Sequence, residues 1–473
     1  MFTRHHNRRE FLKLTAQGIG GFMLSSLINN ASARSSYTPR LHHPAKARSV
    51  VFLYMSGGVS QVDSFDPKPL LREMNDQPMP VKLARTQFNQ VGNIMGSFWD
   101  HKKYGESGIE MTNLFPNIAE LADDLAVVRS LTANFSEHAQ GNFFMHTGFP
   151  FLGHPSAGSW VTYGLGTENE NLPGYIVLQT DTAGVPHGGV SLYGNAFLPA
   201  TTGGSIFNIS GNRTVPNIQP SRLKHEQRKA LNIIKNLDRG FADRTAAGDA
   251  VMASVKNAET AYLMQEAVPE LTDISRESEG TLEMYGVNDR LVYKSEYARQ
   301  CLMARRLVER GVRFIELSCC PYKGGQRENP WDQHGNILEG HTAMALQVDQ
   351  PIAGLIKDLK QRGLFDTTLL VFTGEFGRNP FAQISPANEV GRDHNPQGFS
   401  AWLAGAGVKG GTVYGATDEF GYHAVDKVSN IYELWATVLH LLGVDHHELT
   451  FQHGGRNLRL TDVHGKVWQE ILG

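Results

Sequence analysis

Three short groups of acidic residues and histidines lie near apolar runs in the second half of the chain. The apolar run at 312–318 is followed by Trp331–His334 (WDQH), and the run at 367–373 by Gly374–Arg378 (GEFGR). A third group, Gly391–His394 (GRDH), comes after the next loop. Mixed imidazole and carboxylate groups bind divalent metals, and they suit Zn, Mn or Fe better than Ca. These groups therefore predict a metal site.

Two similar groups occur in the first half of the chain. Asp63 comes soon after the apolar run 49–55, and Ser136–His138 follows the run 125–131. If these runs are strands of one mostly parallel sheet, their carboxyl ends lie at the same edge, where such sheets bind ligands. We therefore expect one or two divalent metal ions at that edge. The candidate ligands are Asp332, His334, His394, Glu375, His138, Asp393 and Asp63.

The chemistry that such a site supports is ester hydrolysis. A divalent cation polarises an ester oxygen and lowers the pKa of bound water to roughly 7. Two ions about 4 Å apart can hold both the attacking and the leaving oxygen of a phosphoryl or sulfuryl group. Ser136 is the nearest candidate nucleophile, and Arg378 or Arg392 has the planar fork that holds an anionic substrate.

Each group also has an ordinary structural explanation. An acidic or hydroxyl residue ahead of a helix caps it, which would account for Asp332 and for Ser136–His138. Glu375 could form an ion pair with Arg378, and Asp393 could belong to a solvated loop. Two further groups are typical of turns or helix caps: Asp63 before Pro67, and Asp445–His447 near the C-terminus. Only the combination at one sheet edge favours the functional interpretation.

Motifs of three other enzyme classes do not occur in the structural context that those classes require. No Gly-x-Ser-x-Gly elbow stands at a strand-to-helix turn, and Met55–Ser60 does not match one. There is no phosphate-binding Gly-x-x-x-x-Gly-Lys-Ser/Thr loop and no Gly-x-Gly-x-x-Gly at the start of a βαβ unit. A serine-hydrolase triad, a nucleotide-phosphate loop and a dinucleotide site are therefore disfavoured.

Predicted strands and helices, which must position these residues, alternate along the second half of the chain. Strands are predicted at 312–318, 367–373 and 400–404, with helices at 298–310, 337–362 and 431–442. Such alternation predicts an α/β fold, a doubly wound, mostly parallel sheet flanked by helices. Residues 150–220 are rich in Gly, Pro, Thr and Asn, and 221–310 have a helical pattern. We expect one domain at 34–473 with a loop-rich and helical insertion around 150–300.

Composition excludes several classes of protein. The chain has 473 residues, of which 41% are hydrophobic and 19% charged, so it can bury a large core and is not disordered. The net charge of −3 offers no basic field to hold a phosphate backbone, which argues against a nucleic-acid partner. Three cysteines cannot form a disulfide framework, and Cys319-Cys320 are predicted to be reduced core residues.

The N-terminus has the pattern of an export signal. Arg8–Lys13 (RREFLK) matches the twin-arginine pattern and is followed by a weakly apolar run, Phe11–Leu27. Ala31-Ser32-Ala33 offers small residues for cleavage before Arg34. We predict a signal at 1–33 and a periplasmic or secreted protein, the alternative being a cytosolic amphipathic helix. No other segment has 18 uninterrupted apolar residues, so no integral membrane segment is expected in the mature chain.

Several long motifs resemble those of the DUF1501 proteins. They are Gly57–Pro69, Gly153–Gly166, Trp331–His334, Gly374–Arg378, Gly391–His394, Leu442–His446 and Arg459–His464. The resemblance covers nearly the whole mature chain. That family is common in planctomycetes, usually carries a twin-arginine signal and is similar to the alkaline phosphatase and sulfatase superfamily. The resemblance implies an alkaline phosphatase-like α/β fold with a metal site at the strand ends.

Some site residues of the superfamily have a match in this chain and others do not. Asp332 and His334 match the first Asp and His pair of the superfamily, and His394 matches its late histidine. Phe376 replaces a histidine, and Ser56 stands where the first metal-binding Asp is usual. The implied function is hydrolysis of a small anionic ester or a sulfated or phosphorylated glycan. The alternative is a non-catalytic binding or accessory protein that retains the fold.

Overall fold

A central β-sheet with helices on both faces organises the chain in the computed structural model. The structure describes residues 41–83, 91–210, 214–216, 218–220, 222–242, 248–322, 325–384 and 390–473. The predicted export signal at 1–33 lies outside the described residues. Among the described helices, none is both long and apolar enough to cross a membrane.

The sheet has nine strands within the described residues. They are β1 Ser49–Tyr54, β2 Leu125–Thr132, β3 Tyr175–Gln179, β4 Ser205–Asn208, β5 Phe314–Ser318, β6 Thr368–Thr373, β7 Phe399–Ala404, β8 Thr412–Tyr414 and β9 Ser429–Asn430. The order across the sheet is β8-β2-β7-β6-β1-β5-β3-β4, and β9 also pairs with β2. All pairs are parallel except those of β7, which runs antiparallel to β2 and β6. The mostly parallel α/β sheet predicted from the sequence is confirmed.

Helices cover both faces of the sheet. They are α1 Pro69–Glu73, α2 Pro116–Ala119, α3 His138–Thr147, α4 Ala157–Leu165, α5 Lys224–Ala242, α6 Gly248–Thr272, α7 Glu279–Tyr285, α8 Val292–Glu309, α9 Ile337–Gln361 and α10 Ile431–Leu441. Four 3₁₀ segments lie at Ala122–Asp124, Gly189–Tyr193, Phe365–Thr367 and Gln469–Ile471. Side chains of α8 and α9 pack on one face, and those of α3, α4 and α10 pack on the other.

The sequence of β1 shows why the sheet lies at the centre. All six residues of SVVFLY are buried, so the strand has no solvent-facing side. Val51 and Leu53 enter the hydrophobic core with α8 and α9, whereas Val50 and Phe52 enter the core with α3 and α10. A strand buried on both faces reads as a continuous apolar run, which is how the sequence predicted it.

The segment 150–220, which the sequence predicted as loops and short strands, also contains a helix, and its strands belong to the central sheet. It contains helix α4 and contributes strands β3 and β4 to the central sheet, where β3 pairs directly with β5. All five residues of β3 (YIVLQ) are buried. The surrounding Gly and Pro residues conceal this short apolar run, because they give the segment the composition of a loop.

A buried charged pair joins helix α3 to the sheet. His146 Nε2 lies 2.9 Å from Glu316 Oε1, and Tyr175 donates a hydrogen bond of 2.7 Å to Glu316 Oε2. Both charged side chains are about 2% exposed or less. Burial disfavours a charged imidazole, but Glu316 outweighs that effect and raises the pKa of His146 above its ordinary value.

The raised pKa of His146 gives a pH-dependent contribution to stability. Protonated His146 stabilises the fold fully below the unfolded-state pKa of about 6.5, and the contribution is lost as pH rises through the higher folded-state pKa. We expect Glu316→Gln, which keeps the shape but not the charge, to lower the free energy of unfolding most near pH 6 and progressively less towards pH 9. Denaturant unfolding at several pH values measures this difference. Tyr175→Phe is the matched control, and a loss in Glu316→Gln that does not vary with pH would contradict the assignment.

Candidate metal centre

One edge of the sheet collects residues from five strands. The carboxyl ends of β1, β2, β5 and β6 lie there, because β1, β5 and β6 are parallel and β7 is antiparallel to both β2 and β6. The amino end of β7 consequently lies at the same edge. Residues that follow the four parallel strands meet residues that precede β7, which explains how His394 reaches the site.

Four side chains at this edge form the candidate metal centre. They are His138, Asp332, His334 and His394, and each offers one ligand atom within 4.8 Å of the others. The Asp332 carboxylate lies at the centre. Its Oδ1 is 2.9 Å from His334 Nε2 and 3.1 Å from His394 Nε2, and its Oδ2 is 3.2 Å from His138 Nε2. The structure thus brings together four of the seven predicted ligands.

The other nitrogen of each ring binds an acceptor. Nδ1 of His394 lies 2.6 Å from the backbone oxygen of Ser136, Nδ1 of His138 lies 2.7 Å from Glu375 Oε1, and Nδ1 of His334 lies 2.6 Å from Gln383 Oε1. A carbonyl, a carboxylate and an amide oxygen can only accept, so all three Nδ1 atoms carry the proton. This leaves Nε2 of each ring as the nitrogen that faces Asp332, the arrangement of metal-binding histidines.

These residues fit a divalent cation. Burial lowers the pKa of His394 to about 3, so this ring is neutral at neutral pH and its Nε2 lone pair faces a carboxylate oxygen. His138 Nε2 is buried and has no hydrogen bond of acceptable geometry within the described residues. The lone pair of the neutral His394 ring is repelled by the Asp332 carboxylate unless a cation lies between them. Three imidazoles and one carboxylate are a donor set for Zn, Mn or Fe.

Protons compete for His138. Burial disfavours its charged form, yet the nearby carboxylates of Asp332 and Glu375 raise the pKa of His138 to about 9. Without a metal this ring is therefore protonated on both nitrogens at neutral pH, and a cation must displace the proton on Nε2. Burial likewise disfavours the charged form of Asp332, but Arg378 and the three rings hold the pKa of that carboxyl well below its usual range. Asp332 is therefore ionised at neutral pH.

Arg378 supports Asp332 rather than remaining available for a substrate. Its side chain is fully buried, and Nη2 lies 2.6 Å from Asp332 Oδ1. Its three nitrogens donate to protein acceptors, among them the backbone oxygens of Gly57, Gly58 and Arg392. The predicted role of this arginine as a fork for the substrate anion is therefore corrected: it is a positioning residue for Asp332.

Glu375 lies behind His138 and is not in the group of four. Its Oε1 binds His138 Nδ1, and the backbone N–H of Gly57 donates to both carboxylate oxygens at 2.9 and 3.1 Å. The hydroxyl oxygen of Tyr54 lies 3.2 Å from Oε2. Gly57 has φ +105°, and a Cβ there would lie 2.5 Å from the backbone nitrogen of Asp332, so only glycine allows this approach. The expected metal ligand Glu375 instead orients His138.

Glu375→Gln tests this orienting role. We expect the amide to keep the packing but weaken the hydrogen bond to His138, which lowers metal affinity by about 10- to 100-fold, the usual effect of losing a partner of a ligand histidine. Competition titration with a chromophoric chelator measures the affinity. Circular dichroism of the variant checks that the fold is retained. Wild-type affinity in a folded Glu375→Gln variant would show that Glu375 does not orient the ring.

Two other predicted ligands are held elsewhere. Asp63 is fully buried and paired with Arg392, with Arg392 Nε 2.7 Å from Asp63 Oδ2. Asp393 Oδ1 accepts the backbone N–H of His394 at 2.8 Å and lies 3.8 Å from His334 Nδ1. Both carboxylates therefore shape the loops that carry the ligands. Arg392, the second candidate anion fork, is fully buried and bonded through all three nitrogens.

Ser136 and Phe376 also lie at the centre. The backbone oxygen of Ser136 binds His394, while its hydroxyl has no hydrogen-bond partner among the described residues. The Phe376 ring lies 5.1 Å from the His138 ring and 4.4 Å from the His394 ring, between centroids. An apolar ring therefore fills the place beside these two histidines.

The C-terminal group Asp445–His447 also brings three potential ligand atoms within 4.8 Å. However, Arg459 donates to His447 Nδ1, which places the proton of that ring on Nε2. Asp445 Oδ1 accepts the backbone N–H of His447 at 2.8 Å, as in a capping turn. The capping interpretation drawn from the sequence accounts for these contacts.

The sequence did not single out two residues next to the centre. Asn142, one helical turn after His138, is fully buried, and its amide oxygen accepts from Tyr54. His187 lies on the loop after β3, with its ring centroid 5.9 Å from that of His138. Neither follows an apolar run directly, so the pattern that located the other residues could not locate these.

Comparison with known proteins gives a family without an assigned function. Residues 47–472 match the family model described as "Protein of unknown function (DUF1501)". No match was found among curated proteins. Among solved structures, the chain matches the alkaline phosphatase from the Antarctic bacterium TAB5 at 11% identity, over 84% of this chain and 98% of that chain, with a TM-score of 0.35.

Two further solved structures give similar values. The lipoteichoic acid synthase LtaP from Listeria monocytogenes matches at 10% identity over 89% of this chain and 77% of that chain, with a TM-score of 0.36. The PsFucS1 sulfatase from Pseudoalteromonas sp. matches at 14% identity over 70% of this chain and 62% of that chain, with a TM-score of 0.32. Because these TM-scores are low, the chemistry of the centre is assigned from the geometry of this chain's own residues.

Proposed function

Because this chain belongs to the DUF1501 family, whose function is unassigned, we propose its activity from the site itself: it is a metal-dependent hydrolase of phosphate or sulfate esters. One observation carries the proposal. Three Nε2 atoms and one carboxylate converge, and the opposite nitrogen of every ring is tied to an acceptor. Such an arrangement supports a bound divalent cation, with His138, Asp332, His334 and His394 as its ligands.

The charges of the site suit an anionic substrate once a cation is bound. Without a metal, the carboxylates of Asp332 and Glu375 are balanced by the guanidinium of Arg378 and by protonated His138, so the site has no net positive charge to hold an anion. A divalent ion that displaces the His138 proton makes the site net positive and would supply Lewis-acid polarisation of an ester oxygen. Buried Arg378 keeps Asp332 ionised and in place, which preserves the ligand set.

The exposure of the ligands indicates where a substrate enters. The side chain of His334 is 21% exposed, while those of His138, Asp332 and His394 are at most 9% exposed. A substrate therefore approaches from the side of His334. Ser136 or a water molecule is the proposed nucleophile, since the unpartnered hydroxyl of Ser136 lies in the loop whose backbone binds His394.

Elemental analysis together with activity assays tests the proposal. We expect stoichiometric Zn, Mn or Fe in the purified protein, and turnover of aryl phosphates or aryl sulfates by the metal-loaded protein. His334→Ala should lose both, while His225→Ala, an exposed histidine on α5, should lose neither. Turnover no higher than that of His334→Ala across both substrate sets would exclude the hydrolase.

A second candidate function is a non-catalytic metal-binding or accessory protein. It is favoured by Phe376, whose apolar ring occupies space beside His138 and His394 where a second ion would need a polar ligand. The two candidates give different results in the same experiment. Stoichiometric metal without turnover supports the accessory protein, and stoichiometric metal with turnover supports the enzyme.

Substrate class and location extend the proposal. A sulfated or phosphorylated glycan is the proposed natural substrate, and export by the twin-arginine route to the periplasm or the exterior is the proposed location. Support for the location comes from the Arg8-Arg9 pattern and the small residues before Arg34. Replacement of both arginines by lysine should leave the protein in the cytoplasm on cell fractionation.

A further inference from the structure

His187 is an exposed histidine beside the metal centre that the four ligands do not include. Its ring lies 5.9 Å from that of His138 at an interplanar angle of 74°. It is carried by the loop between β3 and the 3₁₀ segment Gly189–Tyr193. A solvent-facing ring at this distance from a ligand can contact a substrate bound at the centre.

Two buried asparagines hold His187 in place. Asn142 donates a hydrogen bond of 2.9 Å from its side-chain amide to the backbone oxygen of His187. The amide nitrogen of Asn329 lies 3.1 Å from His187 Nδ1. Both asparagines are fully buried, so each bond is shielded from water. The loop therefore has a fixed position although its histidine is exposed.

The same two asparagines belong to segments that carry metal ligands. Asn142 lies one turn after His138 on α3, and its amide oxygen accepts from Tyr54, whose hydroxyl oxygen lies 3.2 Å from Glu375 Oε2. The backbone oxygen of Asn329 accepts the N–H of Asp332 at 3.0 Å. His187 is thus held in position relative to the metal centre through both of these segments.

The bond from Asn329 also determines which nitrogen of His187 is available. The amide NH₂ donates, so Nδ1 accepts and the proton is on Nε2. In this orientation Asn329 Oδ1 has no hydrogen bond within the described residues. In that part of the chain, Nε2–H of His187 has no protein acceptor.

The backbone after His187 turns sharply and presents the ring outward. Gly188 has φ +114°, and a Cβ there would lie 2.9 Å from Leu192 and 3.2 Å from Phe143 on α3. Only glycine adopts this conformation without strain and without moving those side chains. The loop is therefore packed directly on the helix that carries His138.

A bound tetrahedral anion needs hydrogen-bond donors that the arginines do not offer. Arg378 and Arg392 are fully buried and donate to protein acceptors through all their nitrogens. We propose that His187 is a substrate-binding residue whose Nε2–H donates a hydrogen bond to an oxygen of the phosphate or sulfate group. This inference rests on the proposed function, since it assumes an anion bound at the metal centre.

Anion binding to the metal-loaded protein tests the inference directly. We expect inorganic phosphate or sulfate to bind wild-type protein in isothermal titration calorimetry, and His187→Ala to weaken that binding at least about tenfold, as expected for a hydrogen bond to a charged group. His187→Gln, which keeps an N–H donor, should recover part of the affinity. Metal content of His187→Ala should equal that of the wild type, and His225→Ala should bind the anion normally.

In turnover, the loss should appear in KM with kcat nearly unchanged, because the bond is made in the ground state as well. Unchanged anion affinity in His187→Ala would overturn the inference, as would loss of its metal or absence of anion binding in the wild type. Anion binding that depends on His187 but without turnover would support the inference while excluding the hydrolase. Turnover with the same KM in His187→Ala as in the wild type would support the hydrolase and contradict the inference.

Discussion

Asp332→Ala is expected to lower metal affinity by roughly 100-fold or more and to eliminate ester turnover. Asp332 is the only carboxylate of the group of four, and all three imidazoles approach its two oxygens at 2.9 to 3.2 Å. A four-ligand zinc site binds with about 10–16 kcal/mol, so one ligand accounts for about 3 kcal/mol, or roughly a factor of 100. Chelator competition and aryl ester assays give the two readouts.

The control for this change is Asp393→Asn. Asp393 is also a buried carboxylate near His334, but it caps the backbone of His394 and is outside the group of four. The amide keeps an acceptor for that bond, so metal affinity should stay within a few-fold of the wild-type value. Equal losses in Asp332→Ala and Asp393→Asn would contradict the assignment of Asp332 as a ligand, as would wild-type metal content in Asp332→Ala.

Asp63→Ala is expected to destabilise the protein by about 3–5 kcal/mol, the usual result of removing one partner of a buried ion pair. Asp63 and Arg392 are both fully buried, and Ser60 adds a hydrogen bond of 2.6 Å to the same carboxylate. Burial favours the neutral acid, but Arg392 outweighs it and lowers the pKa of Asp63. The stabilisation is therefore present above the unfolded-state pKa of about 3.9 and is lost as pH falls through the folded-state pKa.

A double variant distinguishes the free energy lost with the ion pair from the cost of leaving the Arg392 guanidinium buried and unpaired. Asp63→Leu with Arg392→Met replaces the pair by apolar side chains and should be more stable than Asp63→Ala alone, because no buried guanidinium remains unpaired. Urea unfolding of the wild type, Asp63→Ala, the single variants Asp63→Leu and Arg392→Met, and the double variant measures the free energies. A double variant as unstable as the sum of its single changes would show that the two residues act independently.

Strand ends were predictable because each apolar run is buried on both faces and is followed by polar residues. This rule located His138, Asp332, His334 and His394. It also selected Glu375 and Asp63, which have the same residue types at the same edge. Glu375 and Asp63 differ from the four ligands in the direction in which their side chains point. The backbone N–H of Gly57 holds the carboxylate of Glu375, and Arg392 holds that of Asp63. No sequence pattern reveals such contacts.

The arginines show the same limit. Arg378 and Arg392 lie in motifs next to metal-type ligands, so a substrate contact was a reasonable expectation from sequence. In the structure, most of their acceptors are backbone oxygens, including those of Gly58 and Met95. A backbone oxygen has no signature in a sequence, because every residue has one. His187 was missed for the opposite reason, since its anchors Asn142 and Asn329 are themselves inconspicuous.

The antiparallel course of β7 has a consequence for the order of events during synthesis. His138 leaves the ribosome long before Asp332, and His394 emerges only as the chain reaches the strand that closes β2 against β6. A nascent chain therefore holds an incomplete set of donors until that reversed strand docks. All four donors can therefore surround one ion only after β7 has docked.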